Sequence, residues 1–294
     1  MGQFELTHYP RGRTLRQVLI GPDNHPMKKS PWQQRIRRAE ELASAHPYAA
    51  EMLRFYALLT GFQEKLYRKL ETASGRSPMA ASHEQLAGPP ELPELLSSFG
   101  EFLSFVKEVG PARSAQIADE LKGQGQRSWG EFLNQFWSGT PEDSSESESL
   151  FARSFLQPYA ELLRHRAAMQ WPGYSHSLCP FCNRKAGLGV LRQMGDGGQR
   201  SLICSFCLAE WSFRRIVCPS CGEEDNRKLP VYTAGEFDYV RVECCDSCRR
   251  YLKTVDLTKN GLADAVVDEI AAAPLDLWAR QQGYSKIEPN LVGV

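Results

Sequence analysis

The chain of 294 residues contains no run of about 18 apolar residues, the length a membrane-crossing helix requires, so membrane insertion is not expected. The opening residues, Met1-Gly2-Gln3-Phe4-Glu5-Leu6, carry no basic stretch followed by an apolar one, so a secretory leader is not expected either. Leu6 stands where a myristoylation signal would need Ser or Thr. There is no phosphate-binding loop, no Gly-x-Ser-x-Gly elbow and no pair of carboxylates with a chemical rationale, so no hydrolase or transferase motif is present. Charge of one sign is not in excess: 35 Lys and Arg balance 35 Asp and Glu. Nothing in the bulk composition steers the chain to a polyanion or a charged membrane. The expectation is a cytoplasmic protein that is not itself an enzyme.

Cysteine is also missing, but only from residues 1–178; all nine cysteines lie between 179 and 248. This shift marks the clearest boundary in the chain. The residues before it read as helical. Ser30-Pro31 is a cap and first-turn pair opening a helix to about Ala45. Met52, Phe55, Leu59, Phe62, Leu66 and Leu70 give an apolar stripe at helical spacing from about 47 to 73. Residues 74–94, with Pro78, Pro89, Pro90 and Pro93, read as a loop. Leu95, Phe99, Phe102 and Val106 continue the pattern, with helices expected at about 111–122 and 127–137. The acidic stretch 140–149 reads as a connector, and Phe151, Phe155, Tyr159 and Leu162 mark one more amphipathic helix. His46, His83 and His165 are scattered singly and suggest no catalytic constellation.

Beyond His176 strand-like segments appear at about 189–193, 201–203, 228–232, 239–242 and 251–255, and helical character returns after 257. The expected fold is α+β and multidomain. It comprises a helical domain over 1–174, four-cysteine modules over 175–214 and 215–256, and a short helical tail over 257–294.

The cysteines form four Cys-x-x-Cys pairs: Cys179/Cys182, Cys204/Cys207, Cys218/Cys221 and Cys245/Cys248. The text between them repeats. Cys-Pro-Phe-Cys, Leu188-Gly189-Val190 and Arg200 in one unit match Cys-Pro-Ser-Cys, Leu229-Pro230-Val231 and Arg241 in the next. Two thiolates three positions apart converge on one ion in a tight turn, and two such turns joined by a hairpin complete a tetrahedral site. All eight cysteines are therefore candidate ligands of two metal ions. The repeat favours tandem sites; interleaved sites stay open, because ten residues separate Cys207 from Cys218. Asn183 and Gly222 suit a positive φ after their knuckles, whereas Leu208 and Arg249 suit it less. Four thiolates accept zinc or iron, and composition does not separate these. Cys244 reads either as a buried spectator or as a reactive thiol beside Cys245, and His176 as an alternative ligand.

A zinc-ribbon protein that binds nucleic acid is one reading of such a domain. Residues 176–256 hold twelve Lys or Arg against ten Asp or Glu, and eight thiolates outweigh two divalent ions. That balance makes nucleic acid an unfavoured partner. A rubredoxin-like electron carrier is another reading.

The stretches Arg200-Ser-Leu-Ile-Cys204-Ser-Phe-Cys207-Leu-Ala-Glu-Trp211, Arg214-Arg215-Ile-Val-Cys218-Pro-Ser-Cys221-Gly222 and Asp238-Tyr-Val-Arg-Val-Glu-Cys244-Cys245-Asp-Ser-Cys248 resemble the formate dehydrogenase accessory protein FdhE family, as does the tail Leu275-Asp-Leu-Trp278. The resemblance implies a cytoplasmic assembly factor with two rubredoxin-like iron sites. Its partner would be the immature catalytic subunit of a formate dehydrogenase. It leaves the oligomeric state and the role of Cys244 open.

Overall fold

A computed structural model describes residues 6–8, 30–73, 92–139, 146–167, 169–195 and 197–293. Most of the loop expected over 74–94, and of the connector over 140–149, lies outside these residues, as does His83; residues 92–94 and 146–149 are helical.

Among the described residues six α-helices precede the cysteines: α1 Pro31–Ala45, α2 Ala50–Ala73, α3 Leu92–Val109, α4 Ala112–Gln124, α5 Gln126–Ser138 and α6 Glu146–Ala167. The apolar stripes face inward: Leu59, Leu66, Leu95, Phe99, Phe102, Val106, Phe151 and Phe155 are all buried in one core. Burying aromatic rings at this density supplies most of the driving force for the bundle. Ser30 does not cap α1 through its side chain; its hydroxyl donates to Glu64 Oε1 on α2 at 3.2 Å.

The cysteine-bearing half forms a single mixed sheet. Its strands are β1 Leu6–His8, β2 Ala186–Met194, β3 Gly197–Cys204, β4 Glu210–Ser212, β5 Val231–Ala234, β6 Phe237–Cys244, β7 Arg250–Asp256 and β8 Ser285–Lys286. The order is β1-β5-β6-β7-β2-β3-β4, with β8 paired to β7. Each repeat supplies an antiparallel triplet, β2-β3-β4 or β5-β6-β7. The triplets join where β2 runs parallel to β7, with Gly189 opposite Thr254. A Cβ at Gly189 would lie 2.3 Å from Thr254 Oγ1, so glycine is what lets the two repeats share one sheet.

One expected strand is displaced. Residues 226–228 make a 3₁₀ turn, capped by Asp225 accepting from Arg227 N at 3.0 Å, and β5 begins only after Pro230. Pro230 has no N–H to donate to a ladder.

Helices α7 Ala265–Ala271 and α8 Ala273–Gln281 cover the sheet. Helical character returns later than the expected 257: Asp264 caps α7 by accepting from Val266 N and Val267 N, and Leu262 ahead of it is exposed. The cover is fastened by buried charge. Lys253 on β7 is fully enclosed and pairs with Asp276 and Glu269; Lys286 pairs with the same two carboxylates. Burial opposes the Lys253 charge, but Asp276 and Glu269 more than offset it and hold its pKa above the ordinary lysine value. The helical half is tied on by Arg38 of α1, which forks onto Asp268 of α7 at 2.9 and 2.6 Å.

Candidate metal centres

Each Cys-x-x-Cys pair sits in the same tight turn. The N–H of the first cysteine donates to the carbonyl five residues on: Cys179 to Arg184 at 2.8 Å, Cys204 to Ala209, Cys218 to Glu223 and Cys245 to Arg250, each at 2.9 Å. The residue after the second cysteine then turns left-handed in all four knuckles: Asn183 (φ 57°), Leu208 (φ 54°), Gly222 (φ 78°) and Arg249 (φ 55°). Leu208 and Arg249 adopt this conformation despite their side chains, a local cost of roughly 1–2 kcal/mol each. Arg249 recovers contacts by stacking over Tyr284 at 3.9 Å.

The turns bring the cysteines together in tandem. One cluster holds Cys179, Cys182, Cys204 and Cys207; the other holds Cys218, Cys221, Cys245 and Cys248, with the sulfurs of each cluster within 4.8 Å of one another. In the first cluster Cys179–Cys207 and Cys182–Cys204 sulfurs are 3.6 and 3.3 Å apart. In the second Cys218–Cys248 and Cys221–Cys245 are 3.7 and 3.6 Å apart. Metal–sulfur bonds of about 2.3 Å directed to tetrahedral corners set sulfurs about 3.8 Å apart. Both clusters are therefore the right size for one tetrahedrally bound ion. The all-sulfur donor set suits zinc or iron and not magnesium or calcium. Backbone N–H groups already point at the sulfurs: Phe181 to Cys179 at 3.4 Å, Phe206 to Cys204 at 3.3 Å and Ser220 to Cys218 at 3.4 Å. Such donors stabilise thiolate charge.

The surroundings differ. In the first cluster Cys179, Cys204 and Cys207 are buried, and the knuckle ring Phe206 packs edge-on against Phe136 and Trp137 of α5 at 5.4 and 5.7 Å. Arg184 lies over both Phe136 and Phe206, and its guanidinium donates to the Phe136 carbonyl. Arg164 of α6 donates to the Cys207 carbonyl at 2.9 Å. The helices thus form one wall of the first site. The second site has a small apolar cluster of its own, with Leu229 beside Cys218, Cys245 and Cys248, and Cys221 is exposed to solvent. Its two knuckles are clasped by Glu223, which accepts from Ser247 Oγ at 2.5 Å.

Electrostatics follow burial. Enclosure, then the neighbouring thiols, push the Cys207 pKa well above the usual thiol range. Burial raises Cys218 as well. Burial also works against ionised Cys248, but the Arg250 N–H and the thiols around it prevail and lower its pKa. Burial lowers the pKa of Arg184, and the charge of the neighbouring sulfurs of Cys182, Cys204 and Cys207 opposes that only in part.

Neither of the other two candidates joins a cluster. The His176 carbonyl accepts from Trp211 Nε1 at 2.9 Å, and the His176 ring meets Tyr174 edge-on at 5.1 Å. Cys244 points into the core beneath the sheet, and burial holds its thiol protonated; such a thiol is a poor nucleophile. Arg184 carried no motif in the sequence. Arg200 did, as the repeat partner of Arg241. Its guanidinium reaches the Arg214 carbonyl at 2.9 Å and Glu243 at 2.5 Å, tying the first repeat to the second.

Comparison with known proteins agrees with this architecture. Residues 178–215 match the model described as "FdhE, central domain", and residues 216–292 match "FdhE, C-terminal domain". The join between the two falls between the two cysteine clusters. A Protein FdhE homolog of Aquifex aeolicus is 29% identical over 199 residues, covering 67% of this chain and 70% of that one. A homolog from Pseudomonas putida is 28% identical over 286 residues, covering 88% and 86%. The crystal structure of the FdhE protein from Pseudomonas aeruginosa superposes with a TM-score of 0.66 at 25% identity, covering 90% of this chain and 95% of the other. Residues 178–292 thus match both FdhE domain models, and the chain as a whole, helical half included, is similar to FdhE proteins in sequence and in fold.

Proposed function

We propose that the protein is a cytoplasmic accessory factor for a formate dehydrogenase: it binds the immature catalytic subunit and carries two rubredoxin-like iron ions. Cys179, Cys182, Cys204 and Cys207 hold one ion, and Cys218, Cys221, Cys245 and Cys248 the other. The observation that carries the reading is the pair of tetrahedral, all-thiol clusters in a chain similar to FdhE proteins. An iron ion so bound supplies one-electron chemistry. The protein's own residues fix the sulfurs, direct N–H groups at them and, at the first site, bury Cys179, Cys204 and Cys207. No described helix is long and apolar enough to cross a membrane.

Reduced cytosol favours this reading, since free thiols there are available to metals. The supporting experiment is deletion and co-purification. A strain lacking the protein should make inactive formate dehydrogenase, and the tagged protein should retain the catalytic subunit. An active enzyme in the deletion strain would sink the proposal. The nucleic-acid reading gains nothing from the second site, where Arg214 pairs with Glu224 and Arg227 with Asp225. Those guanidiniums are already neutralised.

A further inference from the structure

A cleft of about 350 Å³ separates the helices from the cysteine-bearing sheet. Such a volume lies at the small end of ligand sites, roughly 300–1,000 Å³. Arg35 of α1 and Glu161 of α6 line it and are themselves more than nine-tenths buried. They pair through one contact only, Arg35 Nη2 to Glu161 Oε2 at 3.2 Å. Arg35 Nη1 and Glu161 Oε1 are buried and have no hydrogen-bond partner among the described residues. Burial opposes the Arg35 charge, but the carboxylates of Glu161 and Asp264 more than offset it. A buried N–H and a buried carboxylate oxygen left open side by side are costly, about 1–3 kcal/mol each. An occupant presenting an acceptor next to a donor would fill both.

Other cleft charges are spent. Arg192 forks onto Glu210 at 2.8 and 2.9 Å, and Arg68 pairs with Glu71 at 3.2 Å. Arg164 is committed to the Cys207 carbonyl and to His165. With carboxylates as numerous as guanidiniums, the cleft offers no net charge to a phosphate. The unmatched chemistry is that of the edge of an extended peptide backbone: a carbonyl for Arg35 and, from the same residue, an N–H for Glu161. Trp32 and Tyr67, with ring centroids 5.7 Å apart, supply an aromatic wall for flanking side chains. The rim, at Arg68 and Arg192, is half exposed, so an occupant can run on past the cleft.

We propose that this cleft is a peptide-binding site, in which Arg35 and Glu161 together grip the backbone C=O and N–H of one residue of an extended partner chain. The identity of that chain, the formate dehydrogenase catalytic subunit, rests on the function proposed above. Leu208, directly after ligand Cys207, also lines the cleft, so the bound segment lies next to the first metal site.

The test uses the full, metal-loaded protein and overlapping short peptides tiling the catalytic subunit, with fluorescence anisotropy as the readout. One or more peptides should bind, and Glu161→Gln should weaken them about tenfold or more, since its amide can turn an N–H toward the peptide N–H. Arg35→Lys, which keeps the charge but loses the fork, should act in the same direction. If either variant misfolds by circular dichroism, photo-crosslinking of the best peptide to the wild-type protein decides, with Trp32 or Tyr67 as the expected attachment points. Absence of any binding peptide, equal binding to both folded variants, crosslinks elsewhere, or a free small amide binding as tightly as the best peptide would each overturn the proposal. Co-purification of the intact subunit with undiminished yield on Glu161→Gln would overturn this site while leaving the accessory role standing. Loss of co-purification from the wild-type protein would instead remove the accessory role and, with it, the named peptide.

Discussion

Gly222 isolates the cost of a knuckle turn. Its φ is +78°, and a Cβ there would meet nothing within 4 Å. Gly222→Ala should therefore act through backbone strain alone, weakening the second site by about 1 kcal/mol, or roughly fivefold in metal affinity. Gly222→Asn should cost less. A competitive chelator titration measures both; equal, undiminished affinities would mean that the turn tolerates any residue. Leu208 and Arg249 already bear this strain, which the sequence did not announce. The left-handed turn is imposed by closing the sulfur cage, and side-chain preference only modulates its cost. Glu223 works beside this turn. Hydrogen bonds from Ser247 and from the Asp225 N–H hold its carboxyl down to about 2. Its depressed value means the clasp is present above the ordinary carboxylate pKa and is lost only as pH falls through about 2.

At the scale of elements, the parallel seam between β2 and β7 turns two ribbons into one sheet. Gly189→Ala forces a Cβ against Thr254 Oγ1 and should destabilise by about 1–3 kcal/mol, read as a lower midpoint in chemical denaturation. Arg38→Ala should cost about 2 kcal/mol, because buried Asp268 would keep only Tyr239 (2.8 Å) and the Asp264 N–H (2.9 Å) as donors. An unchanged midpoint for Arg38→Ala would show that α1 and α7 do not depend on this fork. The long helices and longer strands were legible in the sequence because each repeats its apolar spacing many times over. Strands β1, β4 and β8 were not, being three residues or fewer and defined by distant partners, such as Leu6 opposite Ala234. The four cysteine pairs were legible because their spacing is local. Arg184 and the Arg35–Glu161 cleft were not, since Arg184 meets Phe136 from 48 residues away and Arg35 meets Glu161 from 126 residues away.

For the molecule as a whole, the two sites should behave unequally. The first is walled by α5 and α6, while the second exposes Cys221. A chelator should strip the second ion first, in two resolved phases; a single phase would contradict this asymmetry. The dependence on pH should reverse with loading. In the metal-free protein Cys207 and Cys218 are raised, so their contribution to stability is complete below the unfolded thiol value of about 8.5 and is lost as pH rises through it toward the folded values. The loaded protein must release those protons to bind its ions, so its metal affinity should fall as pH falls. Thermal melts of both forms across pH would show opposite slopes.

Under the function proposed above, the eight cysteines hold two iron ions in separate tetrahedral sites. Native mass spectrometry of protein purified without added metal, together with its Cys218→Ser variant, tests it most directly. Two iron ions are expected on the wild-type chain and one on the variant, with the helical half still folded. A wild-type chain carrying a single ion, or only zinc, or a variant that has lost both ions, would contradict it.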